Sequence, residues 1–462
     1  MSAISPSQVI VSYRGIASVL EDMDPSSLTE AGALPDTEAG EDPLVARTAD
    51  DPMAVLPAPP PPDSPPAAPA MPELQELQRI AMFRELQRAV DEIAKADKTP
   101  GVFFVPDNQA ASLLLAFMAR EGLQRQRLEE VKDGRFEVKF DDLDLKGWIG
   151  SFFSDWIKRF KKHDFVGAPP IPEKIGNQAR VALLGDWGTG LYGAPVCAAS
   201  IAKATPAFDA IVHLGDIYYA GNSDEVDARF LKVWPKVPGA KNRAVNANHE
   251  MYSGGEGYYG KVLPAFQQPS SLFSFQNDHF LFIGLDTGWD EHDLAGNQAG
   301  WVAALAAQAQ GRKIVLFSHH QPFSVFEDQG TNLIKKLRPL LAAKRIFAWY
   351  WGHEHRCMVY DKHAEWQMWG RLIGHSGYPY FRKDFSAYPL AQANQDGTSW
   401  RVLAATDVAP RSAILEGTNP YVSDAPNKYG PHGWASLHVD GPRLVEQIHA
   451  ANGAVLHQKE LR

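Results

Sequence analysis

Five short stretches of this chain carry side chains that can hold a metal ion: GDWG at 185–188, GDIYY at 215–219, ANHE at 247–250, SHHQP at 318–322 and GHEH at 352–355. In the last, His353 and His355 stand one residue apart, and residues i and i+2 of an extended backbone face the same side. Neutral imidazole is the commonest metal ligand. The pair can therefore grip one cation or serve two adjacent ones. Taken singly, a Gly-Asp pair after a strand reads as a turn, and adjacent histidines read as surface residues. Five such coincidences in one region point instead to a metal-binding cluster. Asp186 and Asp216 in one cleft would repel each other unless a cation lay between them. Mixed carboxylate, amide and imidazole donors suit manganese, iron or zinc better than calcium.

The elements that must position these residues are short apolar strands. RVALLGD, PVCAASIAKA and FDAIVHLGD give a strand–helix–strand opening from about residue 178, the mark of an α/β fold. KNRAVNAN, SLFSF, HFLFIGLD, RKIVLFSHH and RIFAWYWGH read as further strands, and the last thirty residues alternate around DG and NG turns as antiparallel strands. Ligand sites in open α/β sheets gather at the carboxyl ends of strands, where the five stretches lie. GTGLYG at 188–193 matches a dinucleotide fingerprint, but the preceding strand ends in Gly185-Asp186, and a carboxylate there would repel a pyrophosphate. HEHR is not H-E-x-x-H, because its second histidine comes at i+2 and not at i+4.

In order and spacing, the five stretches resemble the blocks of calcineurin-like metallophosphoesterases, over roughly residues 178–460. The detail resembles the purple acid phosphatase branch: Asp186 is followed by Trp187-Gly188 rather than x-His, and Tyr219 stands three residues after Asp216. The resemblance implies two packed sheets with flanking helices and a dinuclear metal site. One metal would take Asp186, Asp216, Tyr219 and His355. The other would share Asp216 and add Asn248, His320 and His353, with His320 preferred to His319 because His320-Gln321-Pro322 fits the family's His-x-Pro block. The implied cofactors are two metal ions, iron, manganese or zinc, with a tyrosine phenolate favouring ferric iron. The implied reaction is hydrolysis of a phosphate ester by a metal-bound hydroxide, with His249 assisting the leaving oxygen. Two metals roughly 3.5–4 Å apart clamp a phosphoryl group and stabilise both attacking and leaving oxygens. Arg356, next to GHEH, can pair with phosphate, but an exposed arginine equally does nothing. Ala247 departs from the family's glycine. Residues 223–245 and 252–271 are expected to form loops around the cleft.

The 462 residues divide unevenly in charge: the formal net charge is −10, and residues 1–72 hold eleven acidic side chains against two arginines. The remainder is close to neutral and does not oppose an anionic substrate. Residues 52–72 contain ten prolines, so 1–72 reads as a disordered acidic, proline-rich arm. Residues 73–165 read as a helical accessory region, with helices over LQELQRIAMFRELQRAVDEIAK, 108–131 and 146–165, and 166–462 as the catalytic domain. Trp148, Phe152, Trp156 and Phe160 make an aromatic stripe on the third helix, which ends in lysines and an arginine. Packing against the neighbouring domain is the favoured reading of that stripe; contact with a membrane surface through 147–163, and action on lipid headgroups, is the other. A fold with a degenerate site that only binds phosphate or protein is a further alternative. Two cysteines exclude a disulfide framework. Neither a secretory signal nor a membrane span is read, so the chain is expected to be cytoplasmic. No nucleic-acid signature is apparent, and the sequence does not fix the oligomeric state.

Overall fold

The strand Gln178–Leu184 shows why this chain layers as it does. Ala179, Val181 and Leu183 point into one apolar core, while Ala182 and Leu184 point into another, and all five are buried. A strand apolar on both faces must lie in the middle of a layered domain. The structure is a computed structural model; it describes residues 109, 112, 113, 116, 128–131, 135–138, 162–167 and 171–462 except 218, 423 and 424.

Two mixed sheets pack face to face. The six-stranded sheet runs Val455–Leu461, Arg443–Ala450, Gly433–Asp440, Gln178–Leu184, Ala210–His213, Lys241–Ala244. Its last three strands are parallel, and the three from the C-terminus are antiparallel, turning at Asp440-Gly441 and Asn452-Gly453 as the DG and NG pairs predict. The ten-stranded sheet has Phe280–Gly284, Lys313–Phe317, Ile346–Trp351 and Trp369–Ile373 as its parallel centre. Residues of both sheets fill the core between them. Helix Gly193–Ala202 covers the outer face of the smaller sheet, and helices Gln298–Gln308 and Thr331–Ala342 cover the larger. The expected two-sheet α/β architecture is thus the observed one.

A buried ion pair ties the sheets together. Arg371 of Trp369–Ile373 donates from Nε to both carboxylate oxygens of Glu446, at 2.7 and 2.8 Å, and the Tyr350 hydroxyl donates to Glu446 at 2.9 Å. Glu446 belongs to Arg443–Ala450 in the other sheet, and both charged groups are fully buried.

Some expectations fail locally. Leu128–Val131, placed at the end of a helix, is a strand paired antiparallel with Arg135–Val138; its LEEV run has two apolar ends that serve either period. Gln109, Ser112, Leu113 and Ala116 are helical as expected. The stretches 223–245 and 252–271 are partly helical rather than loops, with π-helical turns at Val226–Leu231 and Tyr258–Val262. Asn222 starts the first of these regions with a capping box, accepting from the Asp224 and Glu225 amides while Glu225 accepts from its own. The aromatic stripe at 148–160 and the arm at 1–72 lie outside the described residues. At the basic end, Lys162 sits 3.9 Å over the Trp289 ring and His163 stacks on Tyr259. Among the described residues no helix is long and apolar enough to cross a membrane.

Burial also sets an acid limit on stability. It pushes the imidazole of His375 down to about 3 and those of His432 and His449 to about 4. The unfolded chain takes up these protons near 6.5 while the folded chain excludes them, so this stability is complete above pH 6.5 and drains as pH falls toward 4. Each residue should cost about 1–2 kcal/mol by pH 5. Urea midpoints at pH 7.5 and 5.0 measure this, and equal midpoints would contradict it.

Candidate metal centre

Three strand ends deliver the site with one offset. Asp186, His319 and His353 each stand two residues beyond the last residue of their strands, Leu184, Phe317 and Trp351. Asp216 follows the strand ending at His213, and Asn248 opens the short helical turn Asn248–Met251. Asp186, Asp216, His353 and His355 all have positive φ, between 53° and 74°. Side chains rarely adopt this conformation, and such strain gathers at functional sites. Gly374 makes room for the cluster, because a Cβ there would collide with Asp186 Oδ2. Ala247 has φ −136° and ψ 168°, ordinary extended backbone, so nothing there requires the family's glycine.

Two groups of potential ligands share Asp216. Asp186, Asp216 and His355 form one, and Asp216, His319 and His353 the other, with ligand atoms in each within 4.8 Å of one another. His355 Nε2 is 3.6 Å from Asp216 Oδ2 and 3.9 Å from Asp186 Oδ1. On the other side, His319 Nε2 lies 3.3 Å from Asp216 Oδ1, 3.0 Å from Asn248 Oδ1 and 3.1 Å from His353 Nδ1. The two oxygens of Asp216 therefore face different histidines, as a bridging carboxylate requires.

The second group fits a cation for a specific reason. The Leu214 carbonyl accepts from His319 Nδ1 at 2.8 Å, which leaves a lone pair on Nε2. Asn248 donates from Nδ2 to the Tyr252 hydroxyl, which turns Oδ1 toward that lone pair. Carboxylate, amide oxygen and imidazole lone pair then converge in a fully buried space, an arrangement that a cation reconciles. Burial holds His319 down to about 4 and His353 well below its usual range, so both imidazoles are neutral. In the first group, Asp186 Oδ2 is buried without a partner. Burial and the neighbouring Asp216 push the Asp186 carboxyl well above the carboxylate range. Burial also works against the charge of Asp216, but His319, His249 and His355 outweigh it and hold this carboxyl low.

The structure thus brings Asp186, Asp216, Asn248, His353 and His355 together and adds His319, where the sequence had favoured His320. His320 is fully buried one step away, with Nδ1 3.0 Å from Thr287 Oγ1, and groups with His292 and His353. The offset of two from the strand end was the available signal for His319; His-x-Pro spacing pointed past it. His292, in the DEH loop, had no signal. Tyr219 accepts from His249 Nδ1 through its backbone carbonyl at 2.7 Å, and burial pushes its phenol up to about 12. His249 is fully buried and packs against Tyr252. Behind this cluster, Glu250 accepts from the Asp216 amide at 3.2 Å and fixes that turn.

Parts of this chain are similar to known proteins. Residues 179–357 match the family model for the calcineurin-like phosphoesterases. Tartrate-resistant acid phosphatase type 5 of Sus scrofa is 27% identical over 217 residues, covering 38% of this chain and 64% of that protein. The Homo sapiens protein of the same name is 26% identical over 228 residues, covering 40% of this chain and 70% of its own length. The chain therefore spans less than two thirds of the pig relative. Among solved structures, purple acid phosphatase PPD1 from yellow lupin is 14% identical with a TM-score of 0.45, covering 63% of this chain and 55% of that one. This chain is thus similar to the calcineurin-like phosphoesterases over residues 179–357 and, at 26–27% identity, to acid phosphatases.

Proposed function

We propose that the protein hydrolyses phosphate esters at two cations, one held by Asp186, Asp216, Tyr219 and His355, the other by Asp216, Asn248, His319 and His353. The observation that carries this is the convergence of buried lone pairs around His319 Nε2, together with the split of the Asp216 oxygens between two groups. The acid phosphatases to which the chain is similar supply the substrate class. Bound there, two such cations polarise a phosphoryl oxygen and lower the pKa of water toward neutrality. The donor set favours iron, manganese or zinc. Tyr219 has its phenol proton held by burial, so ligation through it needs a strongly acidic ion such as ferric iron.

The chain's own residues orient and move protons. The Tyr219 carbonyl orients the His249 ring through Nδ1, and His249 would exchange a proton with the leaving oxygen. Glu250, through the Asp216 amide, keeps the shared carboxylate in its left-handed turn. Initial rates on manganese-loaded protein, with one generic phosphomonoester and one generic phosphodiester, test the assignment. A measurable rate on either ester, lost on chelation, is the expected result; no rate on both at any metal loading would leave a binding module in place of an enzyme. The dominant ester then sorts monoester from diester chemistry.

A further inference from the structure

Arg356, directly after GHEH, has no part in the cluster above, yet the chain holds it in place. Its carbonyl accepts at 2.8 Å from the amide of Gly374, the glycine that makes room for Asp186. Its guanidinium carbon lies 4.8 Å from the centre of the Phe326 ring and 5.9 Å from that of Tyr380. Phe326 is anchored in turn, because its amide donates to Ser324 Oγ at 2.9 Å and that hydroxyl donates to the buried Glu354 at 2.6 Å. Tyr378, two residues before Tyr380, lies against the His355 ring with centroids 3.9 Å apart. The loops that carry these rings leave the strands Lys313–Phe317 and Trp369–Ile373 at their carboxyl ends, as the ligand-bearing turns do.

The head so fixed is unpaired. Among the described residues it makes no hydrogen bond and no ion pair. Nη1 is buried, while Nε and Nη2 stay open to solvent, and these two form an edge that meets a carboxylate or phosphate bidentately. Exposed Lys383 puts a second cation 5.0 Å from the centre of the same Phe326 ring, also without an ion pair among the described residues. Glu327 and Asp328 follow Phe326 in sequence, yet neither pairs with either head. An unpaired buried donor and two unneutralised cations around one ring cost free energy that an incoming anion offsets. We propose that Arg356, with Lys383 beside it, is an anion subsite next to the metal centre, which takes a second anionic group of the substrate. That group is a carboxylate or a further phosphate on the part of the ester that leaves. The subsite thus selects phosphate esters with a second acidic group over those with a neutral alkyl or aryl group. It rests on the metal-centre reading for one end of the substrate only, since the scissile phosphate must be held beside His355.

Binding of two matched probes to the manganese-loaded full chain tests this apart from turnover. Hexylphosphonate carries one anionic end, and 6-phosphonohexanoate adds a carboxylate at the other. By calorimetry, native protein should bind the second about tenfold more tightly, the worth of one charge-assisted pair. Arg356→Gln should erase the difference. Lys383→Gln, on an exposed side chain whose loss risks no packing, should lower the preference to about threefold. Circular dichroism checks that both variants fold. Equal native affinities, or a preference that both variants keep, would overturn the subsite and leave the metal centre intact. Native binding of 6-phosphonohexanoate alone, lost in Arg356→Gln, would retain the subsite and remove the metal reading instead. Binding of neither probe would overturn both.

Discussion

Replacing Asp216 by asparagine should lower phosphate-ester hydrolysis by about 10³-fold or more, while leaving the fold at least as stable. Both ligand groups need this one side chain, with Oδ1 facing His319 at 3.3 Å and Oδ2 facing His355 at 3.6 Å. Asparagine keeps the shape but turns one oxygen into an amide nitrogen, which donates where a cation needs an acceptor. Cations at such a site supply several kcal/mol of transition-state stabilisation, and losing about 4 kcal/mol of it is a factor of about 10³ in rate. Stability should move the other way in metal-free protein, because the substitution removes a charge that presses on the buried Asp186. Rate and bound metal falling together, with the urea midpoint unchanged or raised, is the signature of a lost ligand rather than a lost fold. A variant rate within tenfold of native would show that Asp216 does not bridge.

The second large effect is on folding. Glu446→Gln should destabilise the protein by about 3–5 kcal/mol, because removing one member of a buried ion pair leaves the other uncompensated. Arg371 has no water to turn to: it is fully buried, and its Nη1 already donates to the Tyr360 carbonyl at 2.8 Å and to that of Gly370 at 2.6 Å. Tyr350→Phe removes a single hydrogen bond to the same carboxylate and should cost about 1 kcal/mol. Urea unfolding of the two variants beside native protein measures the difference. A Glu446→Gln loss below 1 kcal/mol would mean that the pair does not hold the sheets together.

These two residues illustrate what a sequence shows and where it stops. Asp216 was legible because a Gly-Asp pair after an apolar strand is a local signal, and the same is true of Asp186, Asn248, His353 and His355. Glu446 carried a weaker signal of the same kind. It shares an alternating face with Leu444 and Ile448, both fully buried, and an acid there demands a partner. The partner, Arg371, lies 75 residues away in the other sheet, and no local pattern names it. His319 and His320 were adjacent, so spacing alone could not say which would face Asp216. That choice was made by the Leu214 carbonyl, which turns His319, and by the Thr287 hydroxyl, which lies against the His320 ring. The strands ending in site residues were readable from apolar runs. The turns at 223–231 and 258–265 were not: the first is a short, largely polar run until the Asn222–Glu225 cap is seen, and the Tyr, Gly and Pro of the second suggest a loop. Five strands between Cys357 and Glu416 also escaped, because each is only four or five residues long, too short for a period to stand out.

The most direct measurement is turnover of a generic phosphate ester by one protein sample as purified, after chelation, and after manganese is returned. The dinuclear account predicts a rate that disappears with the metal and recovers on reloading, without unfolding between the steps. A rate unchanged by complete metal removal would contradict it.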